Sequence, residues 1–88
     1  MLAALICTDK PGALDIRKAN RDAHVAYLKS TGAVQAGPFL DENGDMCGSL
    51  VILDVADLSA ARDWAAQDPY AKAGLFADVR IEQWNKVI

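Results

Sequence analysis

The stretch from Ala33 to Val55 reads AVQAGPFL, DENGD, MCGSLVILDV, and its middle segment carries Asn43-Gly44. Asn-Gly between two apolar runs is the strongest short-range hairpin signal, because both residues accept the positive φ of a tight turn. Ala33 to Leu40 and Met46 to Val55 are therefore expected to be strands paired antiparallel across the turn Asp41 to Asp45. Gly37-Pro38 interrupts the first of them, and a proline, lacking an N–H, belongs at a sheet edge, a bulge or a strand end. Two consecutive strands in mid-chain decide the fold once their flanks are known.

Upstream, Leu2 to Thr8 is a continuous apolar run of strand length, followed by the loop Asp9-Lys10-Pro11-Gly12. Ala13 to Ser30 contains neither Pro nor Gly, and Ile16, Ala19, Ala23, Ala26 and Tyr27 recur at helical spacing until Thr31-Gly32 provides an exit. Downstream, Asp57 or Ser59 can cap a second helix over Leu58 to Ala66, with Leu58, Ala61, Trp64 and Ala65 on one face. The connection Gln67 to Phe76 follows. Pro69 disfavours the α conformation at Asp68, suits the first position of a short helical turn, and is balanced by Gly74 at the exit. Asp78 to Trp84 alternates as a half-exposed strand. The order β-α-β-β-α-β is the ferredoxin-like split motif, an α+β class in which two crossovers place both helices on one face of a four-stranded antiparallel sheet. Residues 1–88 form one domain. The opposite sheet face carries too many apolar side chains to stay wet, so a homodimer apposed sheet against sheet is expected.

Composition narrows the function classes. Of 88 residues 52% are apolar and 24% charged, an ordinary globular balance, and nine basic against twelve acidic side chains give a net charge of −3. No run of Lys or Arg can track phosphates, so nucleic acid is not an expected partner. Met1 to Thr8 is too short for a signal sequence and lacks its basic start, and no segment has the length of a membrane span; the expectation is a soluble cytoplasmic protein. Cys7 and Cys47 lie in separate strands with no metal or redox spacing, and are read as small buried apolar side chains without a disulfide. One histidine among scattered carboxylates makes no metal site, and there is neither a phosphate loop nor a dinucleotide fingerprint. No built-in cofactor is expected.

The chemistry-bearing residues are few. His24 lies midway along the first helix, with Arg17, Arg21 and Leu28 in its own stripe. A carboxylate at hydrogen-bond distance would favour its protonated form and hold one tautomer, and Asp68, held at the break before Pro69, is the candidate. The alternative is a half-exposed helical histidine and an aspartate that only caps. Arg17 and Arg21 either receive an anionic substrate through their guanidinium forks or form a solvated helix face with Asp15, Asp22 and Glu82. Tyr70 either donates a phenolic hydrogen bond to substrate or packs its ring on a neighbouring helix. The glycines of Gly37-Pro38-Phe39 and Gly48-Ser49 mark a bulge or a close approach of backbone or ligand, so these strands would line a cleft from the sheet side. Ser49 lacks the Gly-x-Ser-x-Gly elbow and is not expected to be a nucleophile. Trp64 is a core anchor, and Trp84 a core or interface residue.

Taken in order, Arg17, Arg21 and His24, then Ala36-Gly37-Pro38, Gly48-Ser49, Asp68-Pro69-Tyr70 with Ala73-Gly74, and a closing strand with Trp84 resemble the YciI-like (YCII-related) family over nearly the whole chain. The resemblance implies a ferredoxin-like domain that dimerises through its sheets, similar to the dimeric α/β-barrel superfamily. It also implies an active site built around His24 and Asp68, with Arg17, Ser49 and Tyr70 lining the same cleft. Some relatives resemble aromatic-degradation enzymes that act by proton transfer, including elimination of halide from a hydroxylated ring. The hairpin Asp41 to Asp45 is shorter than in some relatives, a departure that bears on substrate class rather than fold. The expected function is a cofactor-independent lyase, isomerase or hydrolase-like enzyme acting on a small anionic or aromatic molecule. In it His24 is general base or acid, Asp68 orients it, and Arg17 and Arg21 hold substrate charge. The competing readings are a non-catalytic small-molecule-binding or regulatory dimer, and a structural subunit whose sheet face docks another protein.

Overall fold

In the computed structural model, which describes residues 1–88, the Asn43-Gly44 turn closes β2 (Gln35–Leu40) onto β3 (Met46–Asp54) in antiparallel register. Gly44 takes the positive φ the turn requires, and Asp41 staples the loop by accepting from the N–H groups of Asn43 and Asp45 through one carboxylate oxygen. β1 (Leu2–Asp9) pairs antiparallel with both β3 and β4 (Phe76–Trp84), giving a four-stranded sheet in the order β2-β3-β1-β4. Pro38 thus sits on an edge strand, where its missing N–H costs no ladder bond.

The crossovers are α1 (Leu14–Ser30) and α2 (Leu58–Gln67), followed by the single turn α3 (Pro69–Lys72). α2 is capped by Asp57 rather than Ser59, the Asp57 carboxylate accepting from the Ala60 N–H at 2.8 Å. α1 has no side-chain cap at Ala13. Its stability therefore rests on packing.

Side-chain alternation assigns the two sheet faces. Ala3, Leu5 and Cys7 of β1 and Val51 and Leu53 of β3 point to one side and form the core with Ala61 of α2, with Leu28 of α1 and Leu58 and Trp64 of α2 packed around them. Both helices therefore cover the same face. A smaller cluster of Ala13, Tyr70 and Leu75 closes the end of the sheet at which α3 sits. On the opposite face Leu50, Phe39 and Trp84 remain 37%, 41% and 40% exposed. Gly48 is required by the β1 strand itself, since a Cβ there would collide with the Cys7 carbonyl oxygen. No helix is long and apolar enough to cross a membrane.

Several boundaries differ from the sequence reading by one or two residues: β2 begins at Gln35 rather than Ala33, β3 ends at Asp54 rather than Val55, and α2 runs to Gln67 rather than Ala66. β4 begins at Phe76 rather than Asp78, because Asp78 lies opposite Thr8 on the open, solvated face and does not interrupt pairing. β1 extends to Asp9, read from the sequence as the first loop residue, with a register shift against β4 between Thr8 and Asp9.

Cys7 gives the fold a pH dependence. Burial, reinforced by the negative charge of Asp68, pushes its thiol from the ordinary 9.0 up to about 12. Above pH 9 the unfolded thiol loses its proton while the folded one keeps it, so the native state binds more protons and stability falls as pH rises. The full shift corresponds to roughly 4 kcal/mol, lost between about pH 9 and pH 12. Urea midpoints measured across this range should fall steeply for the wild type and less steeply for Cys7→Ala. Parallel slopes would show that the thiol carries none of the dependence.

Candidate active site

Helical periodicity places Arg17, Arg21, His24, Val25 and Leu28 along one stripe of α1, and in the fold that stripe lines a cleft against β2 and β3. The two fully buried residues of α1 are both polar, Arg17 at 2% and His24 at 6% exposure. A polar group so placed needs partners.

The partner of His24 is Asp68, with Nδ1 2.7 Å from Oδ1. The same oxygen accepts from the Tyr70 N–H at 3.0 Å, so Asp68 caps α3 and faces the imidazole at once; the two roles weighed from the sequence coexist. The break before Pro69 accounts for this, since Asp68 leaves the helical conformation at φ −59° and ψ 127° and ends α2 where α1 passes. A carboxylate only accepts, so the neutral ring donates its Nδ1–H and carries its lone pair on Nε2. Nε2 has no protein partner and no buried side-chain nitrogen or oxygen is left unpaired, so this atom opens to the cleft that His24 lines.

Tyr70 stacks on the imidazole with ring centroids 3.9 Å apart at 18°, and the Arg17 guanidinium carbon lies 4.6 Å from its ring centre. Burial raises the Tyr70 pKa, against the opposing pull of Arg17, which keeps the phenol neutral at physiological pH. Of the two sequence alternatives for Tyr70 the packing one is seen, since the ring stacks on His24 of α1, and the residue also lines the cleft.

Arg17 is engaged on three sides. Its Nε donates to Asp9 Oδ2 at 2.7 Å, and its Nη2 donates to Asp9 Oδ1 at 2.8 Å and to Ser49 Oγ at 2.9 Å. Burial alone would lower its pKa, but the hydrogen bonds and charge of Asp9 outweigh it and the guanidinium is held more firmly protonated. Because Ser49 Oγ accepts from Arg17, its own hydrogen is left to donate. Arg21 lines the same cleft, is exposed, and forms no ion pair; Asp15, Asp22 and Glu82 bridge neither arginine.

Five of the six candidate residues, Arg17, Arg21, His24, Ser49 and Tyr70, thus border one cavity of about 110 Å³, and Asp68 stands behind His24. Ala36-Gly37-Pro38 and Met46 form its wall on the sheet side. The residue that the sequence reading missed is Asp9. Its signal was parity, since Asp9 follows Ala3, Leu5 and Cys7 at steps of two and so points under the helices once the strand reaches it. No group of three His, Cys, Asp or Glu side chains stands close enough to hold a metal ion.

The family model of the YCII-related domain matches residues 1–85. A protein of Haemophilus influenzae, itself uncharacterized, is 41% identical over 97 aligned positions that cover 99% of each chain. Protein YciI of Escherichia coli O6:H1 is 34% identical with the same coverage. Among solved structures, 5-chloro-2-hydroxyhydroquinone dehydrochlorinase (TftG) of Burkholderia phenoliruptrix, in complex with 2,5-dihydroxybenzoquinone, superposes with a TM-score of 0.88 at 34% identity, covering 97% of this chain and 94% of that one. An antibiotic biosynthesis monooxygenase shares the fold at a TM-score of 0.61 and 18% identity, with complete coverage of both chains.

Proposed function

The chain belongs to the YCII-related domain family, and from that premise we propose that it is a cofactor-independent acid–base enzyme of the lyase, isomerase or hydrolase type acting on a small anionic or aromatic molecule. The observation that carries this reading is the buried His24–Asp68 contact at 2.7 Å, with the second ring nitrogen left free at the cleft. In the proposed cycle Nε2 takes a proton from the substrate, and Asp68, already the acceptor of Nδ1–H, stabilises the imidazolium that forms. The same nitrogen returns the proton to the leaving or rearranged group. Ser49 and Tyr70 contribute hydrogen-bond donors, and Arg21 positive charge, around the substrate, while Arg17 holds Ser49 in place.

TftG, a protein of similar structure, is a dehydrochlorinase that binds a hydroxylated quinone, which favours a small oxygenated ring as substrate here. Exposed Leu50, Phe39 and Trp84 on the open sheet face favour a homodimer apposed through the sheets. Cytoplasmic work agrees with two free cysteines, one of them buried.

The test is anaerobic incubation with 5-chloro-2-hydroxyhydroquinone and a panel of small phenols and lactones, following chloride release and ring absorbance. Release or conversion of many equivalents per protein is the expected result with at least one compound. Retention and unchanged return of every bound compound would sink the enzyme reading and leave a binding or regulatory dimer.

A further inference from the structure

We propose that Arg21 is the cation that selects the ligand of this cleft, and that the ligand is a weak oxygen acid no larger than one six-membered ring, held as its monoanion. The inference rests on the acid–base reading of His24 and deepens it by naming the substrate class.

The charges around the cleft lead to Arg21 by elimination. Arg17 is buried, forked onto Asp9 and hydrogen-bonded to Ser49, so its charge is neutralised within the protein. Asp68 is directed at His24. Arg21 alone combines a place on the cleft, access to solvent and no carboxylate partner. A guanidinium in that position is free to fork onto an oxyanion.

Arg17 contributes indirectly. By filling a lone pair of Ser49 Oγ it leaves that hydroxyl as a donor at the cleft. The cleft therefore offers donors from Arg21, Ser49 and Tyr70 and one basic proton acceptor, His24 Nε2. A ligand that matches carries one transferable proton and further oxygens able to accept. On binding, its O–H bond breaks and an Nε2–H bond forms. The imidazolium is balanced by Asp68 and the ligand oxyanion by Arg21, so each charge has a counter-charge and no oxidant or reductant is needed.

Size and polarity narrow the class. A void of roughly 150 Å³ accommodates benzene, so a cavity of about 110 Å³ holds about one ring, with part of it in the open mouth. Leu28, Val25, Met46 and Pro38 supply apolar walls suited to a ring face. One unpaired guanidinium balances one negative charge, which argues against a phosphate ester. Phenols, enols and cyclic 1,3-dicarbonyl compounds fit these constraints.

The probe is 4-nitrophenol, whose absorbance distinguishes phenol from phenolate, titrated with protein at a pH where both forms are present. The wild type should draw the bound probe to its phenolate. Arg21→Gln should bind phenolate roughly tenfold more weakly, the loss of a hydrogen bond between charged groups. Arg21→Lys should restore part of the affinity. Cyclohexane-1,4-dione, a neutral ring of similar size, should bind the wild type and Arg21→Gln alike, and 4-nitro-1-naphthol should bind at least tenfold more weakly than the one-ring probe. Equal phenolate affinity in wild type and Arg21→Gln, or a wild type that draws no probe to its anion, would overturn the inference, and equal binding of the naphthol would overturn its size limit. Failure of the acid–base reading looks different: full turnover in His24→Ala with the Arg21 dependence of binding intact would remove that reading, and the proton transfer to Nε2 with it, and leave Arg21 as the cation that binds the anion.

Discussion

Replacing Arg17 by leucine should lower the stability of the domain by about 3–5 kcal/mol, read as a fall in the urea midpoint at unchanged slope. The loss does not come from the ion pair being a strong source of stability. Two charges taken out of water lose most of their Coulombic gain to desolvation. What the variant suffers is the remainder: Asp9, whose side chain is 6% exposed, would keep a carboxylate with no guanidinium to fork onto it, and Ser49 Oγ would lose its donor. Against a typical total of roughly 5–15 kcal/mol for a domain, that leaves a fold close to its threshold. Removing both partners should be far milder, so Arg17→Leu combined with Asp9→Leu should recover most of the midpoint lost by Arg17→Leu alone. A double variant whose loss equals the sum of the two single losses would mean that the pair is not the unit, and that each side chain matters through separate packing.

The same pair marks the boundary of what the sequence made legible. The hairpin and the two crossovers follow from local signals: Asn43-Gly44 turns the chain, and uninterrupted helical spacing marks α1 and α2; the sheet order, which puts Pro38 on an edge, comes from the structure. The stripe Arg17, Arg21, His24 was legible for the same reason, since helical spacing is a property of neighbours in sequence. Long-range pairing was not. Asp9 was read as loop because it precedes Pro11-Gly12, yet the strand carries it one residue further, in phase with Cys7 and beneath Arg17. Nothing in the sequence indicates that Ser49 accepts from Arg17, 32 residues away. For His24 and Asp68, 44 residues apart, the residues alone left a capping aspartate and a histidine partner as alternatives, and the resemblance pointed to the second. Only the passage of α1 beside the end of α2 shows that one carboxylate oxygen serves both. Local periodicity determines which face a side chain takes; crossover geometry determines whom it meets there.

The largest functional effect is expected at His24. With the substrate identified by the turnover screen, His24→Ala should reduce kcat by ~100- to 10,000-fold, the usual contribution of a positioned proton-transfer group. KM should rise by less than kcat falls, since Arg21 still holds the ligand's charge when its proton acceptor is gone. Because His24 also stacks on Tyr70, the variant's fold is checked independently by its urea transition, and the kcat loss should persist at concentrations where more than nine-tenths of the protein is folded. Asp68→Asn separates charge from orientation. Oδ1 of Asp68 accepts from the Tyr70 N–H as well as from Nδ1–H, so in the variant the amide oxygen keeps that place, the Nδ1–H tautomer is retained, and only the negative charge beside the imidazolium is lost. Long-range ¹H–¹⁵N spectra of the lone histidine read that tautomer directly, without assignment. The expected result is Nδ1–H in both proteins, with a kcat loss in Asp68→Asn that follows the missing charge. Full activity in Asp68→Asn would take the charge of Asp68 out of the mechanism, and wild-type activity in His24→Ala would remove proton transfer from the function of this cleft and leave recognition by Arg21 and Ser49 as its chemistry.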